Sequence, residues 1–401
     1  MIRISDNWRN PESQPLEIVE RKGLGHPDTL ADALADEVSR AYSLYCLDKF
    51  GAIPHHNVDK LYIGAGLFRR DYGQREMVKP IRVQINGRVS NTMNGQLIPL
   101  AYIQTSAVKR YLGYTLPHLD CENELVVECN STTHSKVPYW FEPRDVSDLP
   151  EYNSGTLRAN DTSVCVAHWP PTLGERCAFE LEQSFWTQGP EGFRVPVHDH
   201  IGQDIKVMVN RVSDELDITL CIPVISTKVS SQQEYVEALR SVEEKLAIQC
   251  KSILSGTRYK GSVKVNPDNG GGYHHYLLAI GSCIDCGEEG VVGRGNTNQG
   301  VISIFREHSV EAPDGKNPVY HTGRVLGTLT AVLSRRIYEQ LGSACTIVVM
   351  TKNKFPLLSP PLVNINMQKK ASAEEIEALM GLVFSSDTYL QTVLDRTSVR
   401  R

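Results

Sequence analysis

The sequence predicts an α+β fold in which antiparallel sheets carry helices on one face. Strand-like runs come in pairs with period-two alternation, as at 204–209 and 217–223, the pattern of a half-buried antiparallel sheet. Long helical periods fall between such pairs, as at 29–45, 232–255 and 323–341. The glycine clusters follow no strand–GxGxxG–helix pattern, and no GxxxxGK[ST] occurs, so neither a dinucleotide-binding βαβ unit nor a Walker P-loop is present.

Taken in order, Glu17-Ile18-Val19-Glu20 reads as a short strand that breaks at Gly23-Leu24-Gly25. His26-Pro27-Asp28 then opens a helix, because proline suits the first helical position and a carboxylate suits the positive N-terminus. Leu30, Leu34 and Val38 form its buried face, and Asp32 and Asp36 are expected on a solvated edge. Residues 60–66 and 78–87 read as strands, 101–112 as a helix and 124–129 as a strand. Asn130 to Ser154 is polar, rich in proline and serine, and aperiodic, which reads as a mobile loop or lid. A strand at 164–167 and a helix at 173–186 follow. After the central pair and its helix come strands at 261–266, 276–280, 345–350 and 362–367, then a last helix at 374–383.

The chain has 401 residues, room for two or three domains at roughly 100–200 residues each. A net charge of −5 argues against a nucleic-acid partner. No run approaches the ~18 apolar residues of a membrane span, and the start lacks a signal-peptide core. Ten cysteines show no disulfide-scaffold spacing and read as reduced cytosolic thiols, which predicts a cytoplasmic protein. Cys283-Ile284-Asp285-Cys286 is a lone C-x-x-C. Strand-end thiols are favoured there over a redox or zinc role, since no second pair completes a site.

Phosphate chemistry is suggested by Gly290-Val291-Val292-Gly293-Arg294-Gly295-Asn296 and by Gly315-Lys316-Asn317-Pro318. Glycines let successive N–H groups form an anion-binding nest, and Arg294 and Lys316 add full charges. Glu288 and Glu289 stand beside these cations, where they could hold Mg²⁺ or an ammonium group. Gly25, His26 and the helix N-terminus make a second anion site. A carboxylate there would repel phosphate unless a divalent cation lay between them, so Asp28 reads as a Mg²⁺ ligand.

The string Val19-Glu20-Arg21-Lys22-Gly23-Leu24-Gly25-His26-Pro27-Asp28 resembles the signature of archaeal-type S-adenosylmethionine synthetases (methionine adenosyltransferases). His55-His56-Asn57, Ala159-Asn160-Asp161-Thr162-Ser163, Gly202-Gln203-Asp204-Ile205-Lys206-Val207-Met208, Gly293-Arg294-Gly295-Asn296 and Gly315-Lys316-Asn317-Pro318 continue the resemblance over nearly the whole chain. It implies three similar α+β domains, antiparallel sheet with helices, about a pseudo-threefold axis. These are expected over 1–24 with 160–266, 25–120 with 267–325, and 121–159 with 326–401. It also implies a homodimer with active sites at the subunit interface, ATP and methionine as substrates, Mg²⁺, and often K⁺.

In the reaction so implied, the methionine sulfur attacks C5′ of ATP and expels triphosphate, which is then hydrolysed. His26, Lys206, Arg294 and Lys316 are the expected catalytic residues, because a departing triphosphate needs cations and donors around it. Gly25, Asp161, Ser163, Asp204, Gly293, Gly295, Asn296 and Asn317 are expected at ATP and its phosphates. Glu288, Glu289 and Gly64 are expected at the amino acid, and Asp28 at the metal.

The sequence departs from the family pattern where that pattern holds or covers the amino acid. Gly287-Glu288-Glu289-Gly290 stands for Gly-Asp-Asp-Gly, moving each carboxylate by about 1 Å. Ser131 to Ser135 and Ile63-Gly64-Ala65-Gly66 also differ there, and outside these segments Tyr320 replaces an asparagine. A paralogue using another amino-acid-like nucleophile and a silent ATP-binding regulatory subunit are therefore the alternatives. Retention of the charged set argues against the second.

Overall fold

The computed structural model describes residues 1–153, 156–267 and 275–395. Ser154, the last residue of the expected loop, and the parts of the expected domains within 268–274 and 396–401 lie outside the described residues. Three sheets, each with its own core and its own covering helices, organise the chain.

The first sheet is built on the hairpin Lys206–Val212 and Glu215–Cys221. Alternation buries Val207, Val209, Leu216, Ile218 and Leu220 against the helices Leu173–Gln183 and Gln232–Ile253. Leu16–Lys22 joins one edge antiparallel, and Lys260–Val265 joins the other parallel. The second sheet pairs Tyr62–Gly64 with Ile81–Ile85, adding Gly290–Val291 antiparallel and Leu125–Cys129 parallel. Helices Pro27–Phe50 and Leu100–Thr115 share its core. The third pairs Cys345–Thr351 with Leu362–Met367, adding Ser163–Trp169 antiparallel and Ile2–Ser5 parallel. Thr322–Leu341 and Ala373–Val383 complete that layer.

Each sheet is antiparallel at its centre and parallel at one edge, which corrects the expectation of wholly antiparallel sheets. In the first two sheets the cause is the connection. A hairpin returns the chain antiparallel, but Leu100–Thr115 and Gln232–Ile253 are crossover helices, which return it parallel.

In each layer, one covering helix follows a strand that pairs in a neighbouring sheet. Leu16–Lys22 leads into Pro27–Phe50 yet pairs in the first sheet, and Ser163–Trp169 leads into Leu173–Gln183 yet pairs in the third. Ile2–Ser5 and Ser163–Trp169 pair in the third sheet, and Leu125–Cys129 in the second.

Several local expectations change for physical reasons. The run 78–87 divides at Pro80, which has no N–H to donate. Gln74–Lys79 instead closes a hairpin with Leu67–Asp71, and Ile81 begins the second sheet. The segment from Asn130, expected as a loop or lid, is mostly exposed and carries short turns at Val146–Asp148 and Pro150–Asn153. Phe141 and Leu149 are buried within it, and Trp140 stacks on His55 at 3.8 Å. Among the described residues no helix is long and apolar enough to cross a membrane.

Candidate active site

The helix Pro27–Phe50 starts where the first two sheets meet, and its N-cap is His26. His26 Nδ1 accepts the Asp28 N–H at 3.2 Å, one of the donors a helix start leaves unpaired. The ring's remaining proton is therefore on Nε2. Burial, reinforced by the nearby Lys22 ammonium, holds His26 down at about 4. At neutral pH it is an uncharged donor. Gly25 reaches this point by close backbone contact: its N–H donates to Gln203 O at 3.0 Å, and a Cβ there would collide with Gln203.

Lys206 arrives from the neighbouring strand. The register places it directly opposite Lys22, so two ammonium groups share one face. Like charges so placed are destabilising. Each is offset by its own carboxylate: Lys206 by Glu20 at 3.1 Å and Lys22 by Asp28 at 2.9 Å. Arg294 joins them, its carbonyl accepting from Lys22 Nζ at 2.6 Å and its guanidinium lying 4.0 Å from Asp28. The Arg294 side chain is 70% exposed, so this cationic face is open to solvent. Lys22 had no expected role, although it lies inside the signature string. Its strand position two after Glu20 puts both on one side, a signal that only the cross-strand register makes legible.

The glycine nest is filled from within the fold. Asp32, expected at a solvated edge, is buried and accepts the N–H of Gly293 at 2.6 Å and of Gly295 at 3.0 Å. A Cβ on Gly295 would collide with that carboxylate. These amides anchor the turn to the helix instead of facing outward, and Arg294 is presented from the turn's tip. Asp36, also expected in solvent, is buried in an ion pair with Arg324. Asn296 clamps the Lys22 backbone, accepting its N–H at 3.0 Å and donating to its carbonyl at 2.7 Å. Asn317 is fully buried, with its side chain engaged by Pro54, His56 and Val319. These contacts of Gly293, Gly295, Asn296 and Asn317 are thus with other parts of the chain.

Lys316 is buried and ion-paired with Glu311, close to His321, whose ring burial holds down at about 3. Asp161 is exposed, and Ser163 is buried at the start of its strand. A cavity of about 280 Å³ is lined by Asp32, Gly293, Gly295, Asn296 and Glu311, among others. His26, Lys206, Arg294 and Lys316 are not in its walls. Of these groups Arg294 and Lys206 reach solvent, at 70% and 41% side-chain exposure, while Lys316 is buried.

The acidic segment borders the same helix start. Gly290 pairs with Ile63 across the second sheet, and Val291 N–H donates to Asp28 at 3.2 Å. Glu289 accepts from the Tyr62 hydroxyl, which pushes that phenol up to about 12. Burial pushes Asp204 up to about 7, with Asp285 and Glu288 adding to the rise while the Cys283 amide, at 2.9 Å, opposes it. Among the described residues no group of three His, Cys, Asp or Glu side chains could hold a metal. Both Asp28 carboxylate oxygens are engaged within the chain, Oδ2 by Lys22 at 2.9 Å and Oδ1 by the Val291 N–H at 3.2 Å.

The buried histidines set a pH dependence of stability. His26, His56 and His168 lie at about 4 and His55 and His321 at about 3, all below the usual 6.5 through burial. Unfolding between these values and 6.5 takes up protons, so this part of the stability is lost as pH falls from 6.5 toward 4. Raised carboxyls at Glu17, Glu151, Asp204 and Asp285 act in the opposite sense and make the slope shallower. Each unbalanced proton is worth about 1.4 kcal/mol per pH unit. Denaturant titrations should give lower stability at about pH 4.5 than at about pH 7. A stability maximum below about pH 5 would contradict this.

Among solved structures, the chain resembles an unusual S-adenosylmethionine synthetase from Campylobacter jejuni, with a TM-score of 0.55 at 16% identity over 94% of this chain and 88% of that one. The fold is therefore that of the S-adenosylmethionine synthetases. Residues 2–392 match the S-adenosylmethionine synthetase (AdoMet synthetase) family, and the chain belongs to that family. The S-adenosylmethionine synthases of Methanothrix thermoacetophila and Pyrococcus furiosus are 31% and 33% identical, over 92% and 85% of this chain and 90% and 82% of theirs. An uncharacterised protein of Streptococcus pyogenes serotype M3 is 38% identical over 94% of this chain and 91% of its own.

Proposed function

We propose that the chain is an ATP:L-methionine S-adenosyltransferase. The methionine sulfur attacks C5′ of ATP and the C5′–O bond breaks. Its electron pair leaves with triphosphate, which water then splits into pyrophosphate and phosphate. One observation supports this most strongly: Lys22 and Lys206 are held opposite each other beside the neutral donor His26. A fold that tolerates two opposed cations there is arranged for a polyanion.

Sulfur is a neutral nucleophile, so no general base is required. His26 donates Nε2–H to the leaving oxygen, and Lys206, Lys22 and Arg294 receive the developing phosphate charge. Lys316 leaves Glu311 to meet the distal phosphates. Asp204, Asp161 and Ser163 lie toward the nucleotide, with Gly25, and Glu288 and Glu289 take the amino-acid ammonium beside Gly64. Asp28 holds Mg²⁺, which neutralises phosphate charge when bound, and K⁺ is the family's second cation. The open cationic face supports a homodimer with shared active sites, and the repeated sheet pattern supports three similar domains about a pseudo-threefold axis. Ten free cysteines fit a cytoplasmic setting.

A second reading, transfer to another amino-acid-like nucleophile, is favoured by Glu289. Its longer side chain is engaged by Tyr62 at the position where the family pattern has an aspartate.

Arg294→Ala and Lys316→Ala test the polyphosphate assignment. Each is expected to slow triphosphate release by about 10²–10³-fold with little change in nucleotide affinity. Single-turnover kinetics would measure both, and near-normal turnover in the two variants would remove these residues from the site.

A further inference from the structure

We propose that Cys283 and Cys286 form a reversible dithiol–disulfide pair whose oxidation switches off the site beside them. The C-x-x-C pair sits on a 3₁₀ turn, Cys283–Asp285, closed by the Cys286 N–H donating to Cys283 O at 3.0 Å. In such a turn, side chains three apart eclipse one another, with Cα atoms about 6 Å apart. That lies inside the span of about 4.4–6.8 Å that a disulfide bridges. The other thiol is the largest influence on each of the two, raising Cys283 and lowering Cys286, and both residues are partly solvent-accessible.

The turn also holds the neighbouring site together. Ser282 Oγ donates to Gly25 O at 2.6 Å, just before His26. The Cys283 N–H donates to Asp204 Oδ2 at 2.9 Å, and Cys283 O accepts the Glu288 N–H at 3.2 Å. Cys283 Sγ contacts the Tyr276 hydroxyl at 3.1 Å and the Asp204 carboxyl. Bonding Cys283 Sγ to Cys286 withdraws it from both, leaving Asp204, fully buried, with one fewer partner. The strain passes along the backbone to Gly25 on one side and Glu288 on the other.

The redox step balances with hydrogen peroxide as oxidant. One thiolate attacks a peroxide oxygen, forming a sulfenic acid and releasing hydroxide. The second thiol then displaces water to form the S–S bond. Overall, two thiols and one peroxide give one disulfide and two waters, and a dithiol reductant reverses it.

The effect on catalysis rests on the synthetase reading, so the experiment has two kinds of readout. The full chain is treated with peroxide and then dithiothreitol. Thiols are trapped by alkylation and mapped by mass spectrometry, and amide hydrogen exchange is followed at residues 24–28 and 203–206. Peroxide should convert residues 283–286 to an internal disulfide, raise exchange in both segments, and lower S-adenosylmethionine formation about a hundredfold, the scale of an ångström-sized misplacement. Dithiothreitol should restore all three. Cys286→Ser should remain active and be insensitive to peroxide, and Cys283→Ser should likewise form no disulfide.

Thiols that stay open to alkylation, or a disulfide that forms without changing exchange or activity, would overturn the proposal. So would zinc carried by the purified chain and lost in both serine variants. If no S-adenosylmethionine forms under any condition, the synthetase reading fails, while the mapped disulfide and the exchange data still decide the switch.

Discussion

Replacing His26 with asparagine is expected to cut kcat by roughly 10²–10³-fold while leaving the chain folded. His26 has two tasks that the two ring nitrogens divide. Nδ1 caps the helix by accepting the Asp28 N–H, and Nε2–H is left to donate into the cationic face. Asparagine is itself a strong N-cap, so it keeps the first task and loses the second. His26→Ala loses both and should also cost about 1 kcal/mol of stability. Because burial and Lys22 keep the ring at about 4, its contribution should be constant from about pH 5 upward, as for a neutral donor. Turnover and denaturation measured on both variants separate the roles. Near-normal turnover in His26→Asn would reduce His26 to a helix cap.

The largest stability loss is expected for Glu182→Ala, roughly 3–5 kcal/mol. Glu182 and Arg21 form an ion pair at 2.7 Å with both side chains fully buried. Glu182 also accepts the Trp186 indole N–H at 2.6 Å and the Leu24 N–H at 3.2 Å. Truncation leaves a buried guanidinium without its carboxylate and two further donors without an acceptor. Leu24 lies two residues before His26, so the loss should also disorder the approach to the site. Glu182→Gln keeps one acceptor oxygen but loses the charge and the second acceptor, and should fall between wild type and alanine. Equilibrium denaturation would measure the series, and a loss below about 1 kcal/mol for alanine would contradict a structural role for this pair.

What the sequence made legible was local. The pairing of 204–209 with 217–223, the helix opening at His26-Pro27-Asp28, and the apolar face of Leu30, Leu34 and Val38 all follow from periodicity and capping within a few residues. His26, Lys206 and Arg294, distant in sequence, were gathered by the family resemblance, and the register and ion pairs show them converging.

What was not legible depended on partners far along the chain. Asp32 looks like a solvent residue on any helical wheel, and only the turn at Gly293–Gly295, more than two hundred residues later, makes it an internal anchor. Asn317 sits in a phosphate-like glycine turn, yet Pro54 and His56 enclose it. The parallel edges and exchanged strands are long-range choices of the same kind, since alternation shows that a strand is half-buried but not which sheet it joins.

In the activity we propose, ATP and methionine meet on this cationic face and leave as S-adenosylmethionine. The direct measurement is incubation of the purified chain with ATP, Mg²⁺ and methionine, beside parallel reactions with other amino acids, with products identified by mass spectrometry. The predicted result is S-adenosylmethionine with pyrophosphate and phosphate, and methionine preferred over the other amino acids. An adenosyl adduct on a different amino acid would transfer the account to the second reading. Intact ATP after incubation with every amino acid, while the chain binds the nucleotide, would contradict catalysis and leave a silent ATP-binding subunit.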